Sequence, residues 1–422
     1  MKETRRLSRA QFLRLTGAGL AGSAFLAAQP YEWAIAQATA APQIKLGAFV
    51  GWDRNVSDEP TVLHRWNKCA SQQGKTPHMF ADWFEPSAPV DQIRNVDNQD
   101  ILALYDQLDA KSFMLSFNIR PGSNQDMLDL YNGALTPSGY TADEHVVMIG
   151  QRLAEFCQRD AGAFPEQYAR VRYLHEFTGA NKPWSAFDKD GLPKRFTLGH
   201  YRQLYRRWQL ILAGGSVSAI DQKLAQITSE TGDPAQPKLA KNINARRLKR
   251  AGYSQFGNGK LATNTKFGTV WCGQSAKDPT PVEDPTPDVN DYRNYYPGDQ
   301  YVGEIGCDIF VGDQWTPNEQ KFAALDDFYR MAERRNKPFA IPAWSRDNTP
   351  GDHPEWIEDP DPEPPELAIA TWMEMETRSL MSFACNYEVL QKDQDFRLGN
   401  GEEPLALAEW ASHAATERYL GS

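Results

Sequence analysis

The sequence is short of positive charge. Its 422 residues carry 45 Lys and Arg against 55 Asp and Glu, which gives a formal net charge of -10 at pH 7. Proteins that bind nucleic acids generally do so through basic surfaces that neutralise phosphates. The composition therefore argues against a nucleic-acid partner.

Several catalytic and metal-binding patterns are also missing. The chain holds no GxSxG, P-loop, HExxH or dinucleotide-binding pattern. The five cysteines form no CxxC pair, so the usual zinc spacing is absent. We therefore expect neither a metal nor a cofactor. A bridge between Cys272 and Cys307 is possible, although a buried free thiol is favoured for each.

The segment 1–41 has the three-part layout of an export signal. Five basic residues precede a short apolar run at 17–28, and small-x-small sites follow at 34–40. The stretch Ser8–Arg14 is similar to a twin-arginine signal, with Ala10 where the second arginine is expected, and the general secretion route stays open. No later run has the length of a membrane span. We expect a monomeric mature domain at 42–422, in the periplasm or secreted, without stable membrane insertion.

Short β-like runs alternate with helical segments after this leader. Helical spacing and good helix formers occupy Asp143–Gln158, Gly199–Leu212, Pro317–Asn336 and Glu366–Arg378. Strands that alternate with helices indicate parallel pairing, and eight such units indicate one (β/α)8 barrel. The eight predicted strands are Lys45–Gly51, His78–Trp83, Ser112–Ile119, Arg170–His175, Phe267–Cys272, Glu304–Phe310, Pro338–Trp344 and Leu380–Tyr387.

Two segments have the character of insertions. Gly214–Lys260 holds eight basic and three acidic residues, and we interpret it as a solvated helical excursion. Asp347–Glu366 holds eight acids, no Lys or Arg and several prolines, which prevent regular structure. Because it follows the seventh strand, it is predicted to lie over the active face, as a lid or groove wall or as a disordered loop.

The fourth predicted strand ends in a His-Glu pair. Active residues of such barrels lie at the carboxyl ends of strands, and His175 and Glu176 stand at that position. A glutamic acid whose pKa is raised by apolar neighbours can protonate a leaving oxygen near neutral pH. His175 could hold or tune it. The pair by itself also fits an ordinary salt-bridged glutamate.

The context of this pair resembles glycoside hydrolase family 26, the β-mannanase-like enzymes. The family pattern R-x-x-H-E-F/M-N-G, followed by an aromatic-rich loop and Trp, matches Arg172 to Gly179 and Trp184, with Thr178 in place of Asn. The stretch Tyr295–Asp308 is close to Y-Y-P-G-D-x-Y-V-D-x-I-G-x-D, with Gly303 departing. The resemblance implies a retaining glycosidase whose acid/base, Glu176, lies about 5–5.5 Å from a nucleophilic carboxylate.

The predicted nucleophile position holds alanine. The family's seventh strand is similar to K-P-x-x-I-x-E-F/W-G/S, and this chain reads Lys337–Ser345 with Ala343 where Glu is expected. A methyl group cannot attack a glycosidic carbon. Three explanations stay open: an introduced knockout, a natural pseudo-glycosidase that binds glycan, or another carboxylate, such as Asp347 or Glu355, acting in its place.

Aromatic residues near strand ends are candidate sugar platforms, because sugars present flat apolar faces and hydrogen-bonding edges. Asp308, with Arg172 and His175, is a candidate for ordering the site through hydrogen bonds. The predicted substrate-binding set is Trp184, Trp271, Tyr296, Asp308, Trp315 and Trp344, with Trp52 and Trp83 as weaker candidates.

The sequence leaves two functions open. The first is a hydrolase-like protein that acts on a β-linked polysaccharide such as mannan, β-glucan, β-xylan or an exopolysaccharide, with Glu176 as acid/base. The alternative is a non-catalytic glycan-binding protein of the cell envelope. Polysaccharide or oligosaccharide is the expected partner in both.

Overall fold

The computed structural model describes 43–50, 61–86, 100–158, 168–253, 259–264, 266–275, 291–311, 318–346, 365–375, 377–387, 390–391, 394–395 and 410–421. The predicted export signal lies outside these residues. So do Trp52, Trp315, Asp347, Glu355 and nearly all of the acidic insertion.

Eight parallel strands close into a barrel, which confirms the predicted fold class. The strands are β1 (Ile44–Phe49), β2 (Met79–Phe84), β3 (Ser112–Phe117), β4 (Ala169–Tyr173), β7 (Phe267–Gln274), β8 (Glu304–Val311), β9 (Phe339–Arg346) and β10 (Met381–Tyr387). Each barrel strand pairs in parallel with the next barrel strand along the chain, and β10 returns to pair with β1. All eight predicted runs correspond to these strands.

Helices connect the strands on the outside of the barrel. The described helices are α1 (Val62–Gln72), α2 (Ile101–Tyr105), α3 (Met127–Tyr131), α4 (Ala142–Cys157), α5 (Leu198–Ala213), α6 (Val217–Thr231), α7 (Leu239–Asn242), α8 (Ala245–Arg250), α9 (Asn318–Arg335) and α10 (Pro365–Glu374). The start of α4 follows from local chemistry. The Thr141 side chain accepts a hydrogen bond from the Glu144 N–H, and the Glu144 side chain accepts one from the Thr141 N–H, which forms a capping box.

The basic insertion is helical, as predicted, but it is held firmly to the barrel. It contains α6 to α8 and a hairpin of β5 (Gly215–Ser216) with β6 (Lys260–Leu261). The Arg207 guanidinium on α5 pairs with Asp143 at 2.6 Å and donates to the Pro237 carbonyl oxygen at 2.7 Å. Arg247 on α8 pairs with Glu144 at 2.8 Å. These contacts dock the insertion on α4 and α5.

Three short hydrogen-bonded segments complete the described architecture. The carboxyl-terminal strand β13 (Tyr419–Leu420) adds to the edge of β1. A small antiparallel hairpin joins β11 (Leu390–Gln391) to β12 (Gln394–Asp395). Two 3₁₀ turns, Tyr292–Tyr295 and Asp299–Tyr301, precede β8, so the long motif that ends at Asp308 folds as turns that lead into a barrel strand.

Charged side chains cross the barrel interior. The Arg170 Nε on β4 donates to the Glu304 Oε1 on β8 at 2.9 Å, and the Ser382 hydroxyl on β10 donates to the Glu304 Oε2 at 2.5 Å. Both charged side chains are buried. A buried ion pair is tolerated only when further hydrogen bonds satisfy it, and Ser382 supplies one here.

All five cysteines are buried free thiols, which agrees with the favoured sequence interpretation. Cys272 belongs to the apolar cluster that contains Ala343, whereas Cys307 belongs to the main core. In the β7–β8 register Cys272 lies opposite Gly306, and Cys307 opposite Gly273. The two thiols therefore sit on opposite faces of the sheet and form no bridge.

The buried pair inside the barrel generates a stability prediction. We expect Glu304→Gln to lower the free energy of unfolding by about 3–5 kcal/mol, because it removes the negative charge that pairs with the buried Arg170 guanidinium. Urea denaturation followed by circular dichroism measures the change.

The matched control is the exposed pair of Arg195 and Asp126, at 3.0 Å. Arg195→Met should cost less than about 1 kcal/mol. Equal costs for Glu304→Gln and Arg195→Met would contradict the interior ion pair as a major constraint.

Candidate functional site at the barrel mouth

The carboxyl ends of the strands meet at one mouth, and the loop after β4 carries the central carboxylate. Leu174 and Glu176 adopt positive φ angles of 48° and 55°, which residues other than glycine rarely adopt. The Glu176 N–H donates to the Cys272 carbonyl oxygen on β7 at 2.9 Å. Such strain commonly marks functional positions, and here it turns the chain sharply just past the strand.

Arg172 and Asp308 form an ion pair beneath the mouth. Arg172 Nη1 lies 2.6 Å from both Asp308 carboxylate oxygens, and Arg172 Nε donates to the Ser116 hydroxyl at 2.8 Å. Asp308 is fully buried. Burial raises the pKa of Asp308 to about 7, against the opposing charge of Arg172 and with the help of the negative charge on Glu176.

The Glu176 carboxylate is paired with the ammonium of Lys182. Burial alone would raise the pKa of Glu176, but the positive charge and hydrogen bond of Lys182 outweigh it and lower the pKa to about 2. A proton-donating glutamic acid needs a raised pKa. The structure therefore departs from the acid/base environment that the sequence predicted.

His175 lies between aromatic rings. Its ring is edge-on to Trp83 with centroids 5.6 Å apart, and Trp184 lies 6.2 Å away. Burial and the nearby Arg172 charge lower the pKa of His175 well below its ordinary value, so the ring is neutral. His175 Nδ1 is buried and has no hydrogen-bond partner among the described residues.

Ala343 lies on β9 in an apolar cluster and is only 3% exposed. Phe49 and Tyr387, which belong to the same cluster, stack with ring centroids 4.9 Å apart, and Phe310 lies edge-on to Tyr387 at 5.6 Å. The position predicted for a nucleophile is therefore a methyl group among hydrophobic side chains.

Most of the predicted platform residues are buried in the core. Trp184, Trp271 and Trp344 are 0% exposed and Tyr296 is also buried, so none presents a ring face at the mouth in this structure. The Trp184 Nε1 instead donates to the His175 carbonyl oxygen at 2.7 Å. This placement argues against a stacking role and for support of the loop that carries Glu176.

Sequence reasoning gave too little weight to three residues of the mouth. Lys182, which pairs with Glu176, was missed because the loop geometry that brings it back cannot be read from spacing. Trp83 at the end of β2 and Phe310 on β8 are partly exposed and pack against the Ala343 cluster. Counting two residues onward from Asp308 along an alternating strand would have found Phe310.

Within the described ranges, no group of three or more His, Cys, Asp or Glu side chains could hold a metal ion. Among the same residues, no helix is long and apolar enough to cross a membrane. The absence of a cofactor stays a prediction from the sequence.

The fold is a (β/α)8 barrel whose candidate site lies at the carboxyl ends of the strands. No family model and no curated protein matches the sequence, but solved structures do. An endo-β-1,4-mannanase double mutant from Cellulomonas fimi is 15% identical, with a TM-score of 0.54 over 90% of this chain and 72% of that chain.

A second similar structure is the catalytic domain of a family 26 endo-β-1,4-mannanase from a Bacillus species. It is 13% identical, with a TM-score of 0.50 over 90% of this chain and 87% of that chain. A modular endo-β-1,4-mannanase from Cellulomonas fimi, of glycoside hydrolase family 26, is 15% identical, with a TM-score of 0.51 and coverage of 90% and 72%. At these identities the similarity establishes the fold.

The burial of Trp184 leads to a prediction that distinguishes a structural role in the core from a stacking role toward sugar. We expect Trp184→Ala to lower the free energy of unfolding by about 3–5 kcal/mol, because it opens a cavity and leaves the His175 carbonyl unpaired. Thermal and urea unfolding measure the loss. Trp83→Ala, at a partly exposed ring, should cost clearly less. A Trp184→Ala variant of unchanged stability that loses glycan binding would overturn this placement.

Proposed function

We propose that this chain binds a β-linked polysaccharide or oligosaccharide at the barrel mouth and does not cleave it by double displacement. The observation that carries the proposal is Ala343, an aliphatic residue on β9 in an apolar cluster, at the position that a nucleophilic carboxylate would need. Without that carboxylate no covalent glycosyl intermediate can form.

The groups that surround the mouth suit sugar recognition. Glu176 as a carboxylate accepts hydrogen bonds from hydroxyl groups. Trp83 is a partly exposed ring whose centroid lies 5.6 Å from that of His175, and Phe310 is a partly exposed ring that packs against the Ala343 cluster. Such rings pack against the apolar faces of sugars. This combination of a few polar groups with aromatic surface is typical of ligand sites.

Hydrolysis is the second candidate function. The placement of Glu176 immediately after β4, partly exposed at the mouth, favours it. A hydrolytic mechanism would need a second carboxylate, which another acid such as Asp347 or Glu355 could supply. If one of them activated a water about 6.5–9.5 Å from Glu176, the reaction would invert the anomeric centre.

The sequence features outside the barrel complete this proposal. The segment 1–41 is expected to direct export, so the glycan would be met in the periplasm or outside the cell. We expect the mature domain to act as a monomer with kinship to glycoside hydrolase family 26. Mannan, mixed-linkage β-glucan and β-1,3-xylan are the first ligands to examine.

The binding proposal is tested with the chain and a panel of these polysaccharides. We expect retardation in affinity electrophoresis by at least one polysaccharide, with no reducing sugar released. Trp83→Ala should weaken binding by about fivefold to tenfold, since it removes a stacking surface.

The control is Asp109→Asn, a change on the exposed segment that leads into β3, at the opposite end of the barrel from the mouth. It should leave binding unchanged. Sugar release by the unaltered chain that stops with Glu176→Gln would favour the hydrolase, and failure to bind any polysaccharide would contradict both functions.

A further inference from the structure

The contact between Lys182 and Glu176 has a consequence for the chemistry of the mouth. Both side chains are largely buried, with exposed fractions of 20% for Lys182 and 13% for Glu176. An ion pair in so restricted a place is screened far less by solvent than one on an open surface. The pair therefore determines the charge of Glu176 more strongly than an ordinary surface lysine would.

The loop backbone holds Lys182 in position. The Gly179 N–H donates to the Glu176 carbonyl oxygen at 2.9 Å, and the Lys182 N–H donates to the Gly179 carbonyl oxygen at 3.0 Å. The Lys194 ammonium then donates to the carbonyl oxygens of Ala180 at 3.1 Å and Lys182 at 3.0 Å. Two successive turns and the half-buried Lys194 thus return the chain toward Glu176.

The other groups around Glu176 come from β4, β7, β8 and the loop itself. Arg172 on β4 and Lys182 are cations, Asp308 on β8 is a carboxyl group, and His175 is neutral. Cys272 on β7 contributes a backbone carbonyl that accepts the Glu176 N–H. Arg172 pairs with Asp308 at 2.6 Å and its charge also lowers the pKa of Glu176, whereas Lys182 forms an ion pair with Glu176 directly.

We propose that Lys182 is a positioning residue that keeps Glu176 ionised, so that the mouth accepts hydrogen bonds from sugar hydroxyls and cannot protonate a glycosidic oxygen. The proposal deepens the binding function above, and its second arm rests on that function. A general acid must carry a proton on its carboxyl oxygen before the leaving group departs. In this site that proton would have to displace the ammonium of Lys182.

The first arm of the test measures the ionisation of Glu176 and does not depend on any glycan. The side-chain carboxyl carbon of Glu176 is followed by ¹³C NMR in glutamate-labelled protein and assigned by its loss in Glu176→Gln. We expect no titration from about pH 4 to about pH 7 in the unaltered chain, and titration within that range in Lys182→Met, where burial is no longer opposed by the ammonium.

Two variants control this measurement. Lys182→Arg keeps a cation and should restore the untitrated resonance. Lys189→Met removes the same charge from an exposed position of the same loop and should leave the resonance as it is in the unaltered chain. Titration of Glu176 near its ordinary pKa of about 4.3 in the unaltered chain, or an identical profile in Lys182→Met, would overturn the proposal.

The second arm asks whether the ion pair limits chemistry once a nucleophile is supplied. In an Ala343→Glu background, Lys182→Met should raise the rate of hydrolysis by about tenfold or more and move the activity to higher pH, because Glu176 then holds its proton further up the pH scale. The gain should vanish with Glu176→Gln. If the NMR arm succeeds and no variant binds or cleaves a glycan, the ion pair stands and the proposed function falls.

Discussion

The buried ion pair of Arg172 and Asp308 is the interaction on which the barrel mouth depends. It joins β4 to β8 across the interior, and the bond from Arg172 to Ser116 extends it to β3. A charge that is fully removed from water must keep its partner. The pair therefore fixes the relative positions of three strands, and it places the loop after β4, with Glu176, above them.

The groups next to Glu176 determine whether its carboxyl group is ionised. In a retaining glycosidase each of the two carboxyl groups raises the pKa of the other, because two negative charges at short distance repel one another. Here the position of one such carboxylate is the methyl group of Ala343, and Lys182 adds a positive charge next to Glu176. Both departures act in one direction, because each favours the ionised form of Glu176.

The barrel could be predicted from sequence because strand and helix periods alternate clearly, and the eight runs became eight strands. The His-Glu pair could be placed at the mouth because it follows β4. The positions of the tryptophan side chains could not be predicted, because a Trp near a strand end can face either the core or the mouth. Trp184 turns inward to bond the His175 carbonyl, and Lys182 turns toward Glu176, through loop geometry that no periodicity encodes.

The surroundings of Ala343 connect these observations. The stacked Phe49 and Tyr387 and the neighbouring Phe310 form an apolar surface at the place where a nucleophile would need polar support. Ala343 in its apolar cluster and Glu176 paired with Lys182 are therefore consistent with each other. Among the described residues, the mouth offers an ionised carboxylate beside aromatic side chains, and a ligand that offers hydroxyl donors and an apolar face complements it.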